Sequence, residues 1–284
     1  MDGERIAVIT GSTGGIGGAI ADRLAASGWH LVLVNRNNTK AQAQRADLQA
    51  THPGIEVDTV TADLMDMGQI KTAARTIVGM HPKLDLLFNN SGVLTSERVM
   101  SMQGHESNYA VNTLASYVTT QGLRPALRTQ DADAKSMIVN TTSSAHNAAK
   151  SLDTATLSDP EDIGGLTGAY ATTKLALTTM GTAMSSELEV EGIMIRSICP
   201  GPVVTPMTKT SDAMPGILKL LVPLLFKSPD VQAAKMIHAA QTESYGGQTG
   251  IYITNGKEKP LPSLAQDASV QAKLMAKLSE DAGF

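Results

Sequence analysis

Thr10-Gly11-Ser12-Thr13-Gly14-Gly15-Ile16-Gly17 decides the reading of this chain. A β-branched apolar run, Ile6 to Thr10, leads into it, and a stretch of helical periodicity, Ala19 to Ser27, leads out. Strand, glycine-rich turn and helix in that order open a dinucleotide-binding βαβ unit. The glycines let the backbone turn sharply and approach a pyrophosphate. Its negative charge then meets the N–H groups that the first turn of a helix leaves unpaired. Taken without its surroundings, the same loop would also suit a turn that only packs a helix on a strand. The rest of the chain has to decide between the two.

Working outward, Leu31 to Val34, Ile55 to Val60, Leu84 to Phe88, Met137 to Thr141, Ile193 to Cys199 and Gly250 to Ile253 read as further strands, with helical candidates between them. These strands are near-continuous apolar runs, which predicts burial on both faces and so a parallel sheet with helices on each side. The fold class predicted is α/β: a single Rossmann-type doubly wound parallel sheet of about seven strands flanked by helices. A chain of 284 residues, 42% of them hydrophobic, suits one domain spanning 1–284. Ser144 to Gly168 and Pro200 to Pro215 are long irregular stretches, and in a compact domain such loops are usually functional. Val270, Leu274 and Leu278 recur every four residues within a C-terminal extension, 257–284, and predict an amphipathic helix docked on the body.

The formal charge is −4, with acids and bases interspersed, so there is no electrostatic footprint for nucleic acid. One cysteine, Cys199, cannot form an internal disulfide and fits a reducing compartment; it reads as buried filler. There is no signal-peptide pattern and no apolar stretch of about 18 residues, so a cytoplasmic protein without integral membrane association is expected. The six histidines are scattered without ligand spacing, and no metal is expected.

The second strand ends in Asn35-Arg36, about 20 residues past the glycine loop, where an acid would bind the ribose 2′-hydroxyl of NAD. Arg36 can instead clamp the 2′-phosphate of NADP(H), or serve as a solvated loop cation. Further on, only Tyr170 among the five tyrosines has a lysine four residues later, Lys174, and on a helix that spacing stacks the two on one face. Alone the pair is weak; its order after the other marks gives it weight.

In that order the chain resembles the short-chain dehydrogenase/reductase family. The marks are Gly11-x3-Gly15-x-Gly17, Asp63-Leu64 after the third strand, Asn89-Asn90-Ser91-Gly92 after the fourth, Val111-Asn112-Thr113, Asn140-Thr141-Thr142-Ser143, Tyr170-x3-Lys174 and Cys199-Pro200-Gly201-Pro202-Val203-Val204-Thr205-Pro206. By resemblance, Gly11, Ser12, Thr13, Gly15, Ile16 and Gly17 surround the cofactor phosphates. Asp63 and Leu64 contact the adenine, although a lone Asp is as readily a helix N-cap. Asn90, Ser91 and Gly92 shape the cofactor channel. Pro200, Gly201, Val203 and Thr205 lie beneath the nicotinamide, or form a rigid turn and no more. Ser143, three residues after Asn140, is the implied active serine rather than Ser144. Asn112 is the implied helix asparagine of a proton relay, against a plain mid-helix polar residue. The resemblance also implies homodimers or homotetramers, paired through the helices that hold Asn112 and Tyr170. The long gap between Ser143 and Tyr170 and the C-terminal extension are similar to the branch of retinol dehydrogenases and protochlorophyllide reductases.

The chemistry needs these groups. Hydride exchange between a nicotinamide and a carbonyl or alcohol carbon requires a partner for the oxygen's proton, and a free phenol titrates too high for the task near neutrality. Lys174 and the oxidised nicotinamide, both positive, would draw Tyr170 down, while Ser143 holds the substrate oxygen as charge develops on it. His146, near the start of the long loop, reads as structural. The apolar crowd Ile217, Leu218, Leu220, Leu221, Val222, Leu224, Leu225 and Phe226 is compatible with a lid over an apolar substrate, spanning 206–228, with core, or with a subunit contact. A non-catalytic NADPH sensor and a sugar-nucleotide epimerase or dehydratase are the competing functions. The complete Asn112, Ser143, Tyr170 and Lys174 set argues against the first, and the short chain left after Thr205 argues against the second.

Overall fold

In β1 (Ile6–Thr10), Ala7 and Ile9 face one way and Val8 the other, and all three are shielded from water. A strand alternates its side chains, so apolar residues on both faces demand cover on both. The computed structural model describes residues 5–95, 97–129, 135–204 and 226–284. In it β2 (His30–Asn35), β3 (Val57–Thr61), β4 (Leu86–Asn89), β5 (Ser136–Thr141), β6 (Ile193–Cys199) and β7 (Tyr252–Thr254) join β1 in the parallel order β3-β2-β1-β4-β5-β6-β7. This is the predicted doubly wound sheet, with strand ends displaced by no more than two residues from those expected. An eighth strand, β8 (Lys257–Lys259), runs antiparallel to β7. Lys-Glu-Lys gives no strand signal, and the fully exposed run owes its place to the hairpin. Its lysines blunt the sheet edge against pairing with other chains.

Helices α1 (Gly15–Ala26), α2 (Asn38–Thr51) and α6 (Pro229–Ala240) cover one face through Ile20, Leu24, Leu48 and Met236. The other face is covered by α3 (Met67–Met80), α4 over 107–127, α5 (Ala169–Val190), α7 (Ser263–Gln266) and α8 (Ala268–Ala282). Local chemistry sets several starts: Asn37, Asp66, Ser228 and Asp267 each accept a backbone N–H of the first turn. In α8, Leu274 and Leu278 are fully buried, as the four-residue spacing predicts, against α5. Tyr109 of α4 donates to Asp281 Oδ2 at 2.8 Å, and Lys277 pairs with the same carboxylate. The C-terminal extension therefore covers part of the α4 and α5 surface on which self-association was expected.

One buried charge holds the far side together. Arg196 sits in β6 within an otherwise apolar run and is fully buried. Its guanidinium donates to the carbonyls of Gln248, Ala239, Gln241, Thr242 and Ser244 at 2.7–3.1 Å, so its five donors are all used. These carbonyls run from the last turn of α6 to the segment before β7, and the cation gathers them round one point. Arg196→Met is expected to lower stability by at least about 3 kcal/mol, with Arg196→Lys less harmful because it keeps some donors. Urea unfolding followed by circular dichroism checks this, and equal midpoints for parent and Arg196→Met would refute it.

Candidate active site

The order of the sheet reverses between β1 and β4, and a crevice opens where their C-terminal ends diverge. The glycine loop follows β1 there. Gly11 has φ +67°, and a Cβ on it would stand 2.5 Å from Ser91 Oγ. At Gly17 a Cβ would lie 2.3 Å from the Gly11 carbonyl oxygen and 2.5 Å from Asn90 Nδ2. Around Gly14, by contrast, the space is open, and no side chain caps α1. An uncapped N-terminus of twelve residues facing open space, with Thr13 and Gly14 exposed, fits the phosphates of a dinucleotide. Ser12 does not face that space. It is buried, its N–H bonds Asn35 Oδ1 at 2.9 Å, and its hydroxyl is shared with Asn35 and Gln44. Ser12 supports the loop from behind.

Arg36, just past β2, is 76% exposed and lies 4.0 Å from Asp63 Oδ2. The two thus flank one edge of the crevice. Asp63 is not the helix cap that its type suggests, because Asp66 caps α3; Asp63 Oδ1 accepts the Met65 N–H instead. Leu64 is half-buried against the core. Asn90 donates to the Thr10 and Gly11 carbonyls at 3.0 and 3.2 Å, and Ser91 N–H bonds Thr10 Oγ1, so the Asn90-Ser91-Gly92 turn clamps the glycine loop.

Asn112 falls in a π-helical turn, Ala110–Leu114, within α4. Its amide accepts the Val93 N–H at 2.8 Å and donates to the Val93 carbonyl at 3.0 Å and to Thr173 Oγ1 at 3.2 Å. The side chain therefore ties the segment after Gly92 to α5, a positioning part. Ser143 follows β5 and is half-buried near Tyr170, its hydroxyl accepting the Ala145 N–H at 3.2 Å, while Ser144 is exposed. Lys174, one turn beyond Tyr170, is buried and donates to the Thr141 carbonyl at 2.8 Å, with Nζ 5.9 Å from the Tyr170 ring centre. Asn112 holds the Val93 segment, so all four catalytic candidates meet at the C-terminal ends of β4 and β5.

Burial sets the electrostatics of the chain's own groups here. Burial pushes the Tyr170 hydroxyl up to about 12, only partly offset by the Ser143 hydrogen bond. Burial likewise brings Lys174 down to about 8. Among the chain's own groups desolvation dominates, so near neutrality the phenol holds its proton; the charge of an oxidised nicotinamide would act against this when bound. Leu94, Leu166, Ala145, Val204 and Phe226 pack around the Tyr170 ring and give it an apolar wall.

The turn after β6 carries Pro200 and Gly201, the latter at φ +77° with the Asn255 amide filling the place of a Cβ at 2.5 Å. Val203 is buried, bridged to Lys227. Thr205 and the apolar stretch from Ile217 to Leu225 lie outside the described residues, as does most of the predicted 206–228 lid. Cys199 is more than filler: its sulfur accepts the N–H groups of Ser144 and Gly201 at 3.2 and 3.3 Å and so joins the loop after Ser143 to the turn after β6. His146 is structural, as expected. It is buried against the Tyr252 ring and the Thr178 hydroxyl, and burial holds it at about 4, uncharged near neutrality.

With this geometry in hand, comparison with known proteins gives a consistent answer. The sequence profile of the family described as short chain dehydrogenase matches residues 5–155 and 161–216. The chain belongs to that family. Among the family's characterised members it is 29% identical to human polyprenol dehydrogenase over 283 residues, 99% of this chain and 86% of that one. It is 27% identical to human retinol dehydrogenase 13 over 286 residues, 98% and 84% of the two chains. The likeness to the retinol dehydrogenase branch thus stands. A crystal structure of a Mycobacterium paratuberculosis protein superposes with a TM-score of 0.76 at 20% identity, covering 98% of this chain and 93% of that one. Other short-chain dehydrogenases and reductases of the same fold have been solved with NADP or NADPH, and one with NADH. As a family member the chain is an oxidoreductase by descent. Among the described residues no helix is long and apolar enough to cross a membrane.

Sequence reasoning missed the partners more than the principals. Val93, Thr141, Thr173 and Cys199 position the site through backbone groups, hydroxyls or sulfur, and no spacing rule marks them. Asn35 carried a usable signal, a polar residue ending an apolar strand; it was read only for what it was not.

Proposed function

We propose that this short-chain dehydrogenase is an NADP(H)-dependent oxidoreductase of the carbonyl reductase and alcohol dehydrogenase type, acting on an apolar small molecule. The observation that carries the proposal is the buried Tyr170 among apolar side chains, with the buried Lys174 one helical turn on, its Nζ 5.9 Å from the Tyr170 ring centre, and Ser143 close by. The uncapped start of α1 would hold the cofactor's pyrophosphate, Arg36 its 2′-phosphate, and Asp63 and Leu64 its adenine. When bound, the cofactor supplies or accepts a hydride at its nicotinamide. Everything else falls to the chain. Ser143 orients the substrate oxygen and stabilises charge on it. Tyr170, protonated near neutrality, donates its proton to that oxygen in the reductive direction and takes it back in the oxidative one. Lys174 stands one helical turn away to resupply the proton, and Asn112 fixes the geometry through Val93 and Thr173.

Apolar substrates follow from what lines the phenol. Leu94, Leu166, Val204 and Phe226 offer contact area and no hydrogen-bonding group at their side chains. Phe226 is also the described end of the apolar run. A homo-oligomer built on α4 and α5 would place α8 in or beside the contact.

Tyr170→Phe is expected to keep NADPH binding, measured by fluorescence titration, and to lower kcat by about 10²-fold or more. Activity within tenfold of the parent would remove Tyr170 from its role. For the cofactor, Arg36→Ala should raise the KM for NADPH far more than that for NADH. Equal use of both cofactors by the parent enzyme would rule out the 2′-phosphate clamp. Across a homologous series of aliphatic ketones or aldehydes, three added carbons should improve kcat/KM by up to about sixtyfold, taking roughly 0.8 kcal/mol per buried methylene. A flat or falling profile in steady-state kinetics would end the apolar-substrate reading.

A further inference from the structure

His30, Asp58 and His81 are remote from one another in the sequence, and the fold brings them to one point. His30 opens β2, Asp58 lies near the start of the neighbouring β3, and His81 caps the C-terminal end of α3. The Nε2 atoms of the two imidazoles stand 2.8 and 2.9 Å from the same oxygen, Asp58 Oδ2. The rings are 4.7 Å apart and nearly perpendicular, so both direct a nitrogen at that oxygen without stacking. One ligand atom from each residue falls within 4.8 Å of the other two. The imidazoles are only 10% and 12% exposed, while the carboxylate is 35% exposed. The rings are thus fixed by their surroundings, and the point on which they converge is open to solvent on the carboxylate side. The cluster lies at the N-terminal edge of the parallel strands, the opposite end of the sheet from Tyr170.

We propose that His30, Asp58 and His81 bind one divalent transition-metal ion, Zn²⁺ before others, with water completing the coordination. Two imidazole nitrogens and one carboxylate form a three-ligand set of borderline donors that suits Zn²⁺, whereas Mg²⁺ and Ca²⁺ require shells of oxygen. Zinc holds such ligands at about 2.0–2.2 Å, which puts tetrahedral neighbours roughly 3.3 Å apart. The observed nitrogen-to-oxygen separations need to open by only about half an ångström, within reach of side-chain torsions. One further feature favours a cation here. The C-terminal end of α3, which His81 caps, carries the negative end of its dipole. Bound there, the ion would pin β2, β3 and the end of α3 together at an edge of the fold that no catalytic candidate touches.

The test uses the full-length protein without a polyhistidine tag, stripped with a chelator and titrated with ZnCl₂ by calorimetry. One saturable site per chain is expected, weakened at least tenfold in His81→Gln and in Asp58→Asn. Added Zn²⁺ should raise the thermal midpoint of the parent and not that of the variants. Co²⁺ gives an independent readout: the parent should show the intense visible bands of a tetrahedral site, and the variants the weak spectrum of the hydrated ion. Circular dichroism establishes that each variant is folded, and His30→Gln serves in place of one that is not. Absence of saturable Zn²⁺ binding, or binding unchanged in every folded variant, overturns the site. A weak octahedral Co²⁺ spectrum in the parent overturns it as well. None of these readouts passes through Tyr170 or the cofactor, so they stand or fall apart from the oxidoreductase reading.

Discussion

The hydroxyl of Thr10 is the joint on which the site is hung. It accepts the N–H groups of Asn90 and Ser91 at 3.0 and 3.1 Å, and it lies within 3.3 Å of the Phe88 carbonyl. Asn90 returns two hydrogen bonds to the Thr10 and Gly11 carbonyls. These contacts lock the end of β1 to the end of β4 at the place where the order of the sheet reverses. Chains leaving adjacent parallel strands in opposite directions must part there, and a crevice results. Without the lock, the crevice would have no fixed width. With it, the start of α1 and the turn after β4 are held in one register, and Gly11 and Gly17 have the close approach that the arrangement demands.

Burial then sets the electrostatics of that crevice. Taking a titratable group out of water disfavours its charged form, whatever its sign. Tyr170 moves up to about 12 and Lys174 down to about 8 for the same reason, so near neutrality the phenol is uncharged while the ammonium still carries its proton. A site in this state keeps one positive charge, on Lys174, one helical turn from a neutral phenol. A phenol that holds its proton is an acid in waiting, with Ser143 beside it.

How much of this could be read from the sequence depends on the range of the interaction concerned. Strands were legible because burial on both faces leaves continuous apolar runs, and the glycine loop because its φ values admit little else at Gly11. The Tyr170 and Lys174 pair was legible because one helical turn fixes their spacing. Where a local rule offered two solutions, the sequence could not choose: Asp63 and Asp66 are both plausible caps, and Asp66 is placed to reach the Gly68 and Gln69 N–H groups. Long-range polar contacts left no trace. Arg196 is held in its strand by five carbonyls from a distant segment, and β8 exists through hairpin pairing rather than strand preference. His30 and His81 meet over Asp58 only because β2, β3 and α3 share one corner of the sheet.

The C-terminal helix shows how a remote segment bears on the site. Leu274 and Leu278 of α8 bury themselves against α5, the helix that carries Tyr170 and Lys174. Tyr109, bonded to Asp281, stands immediately before the π-helical turn that contains Asn112. A π-turn is less stable than the α-helical turn it replaces, and it persists where its surroundings hold it. Here Val93 and Thr173 hold Asn112 from the site side, while Asp281 holds Tyr109 from the far side of the same helix. Burial and the neighbouring carboxylate keep the Tyr109 hydroxyl protonated, so this bond persists wherever the fold does. The extension therefore does more than shield apolar surface: it fixes one end of the irregular turn on which the spacing between α4 and the Tyr170 helix depends.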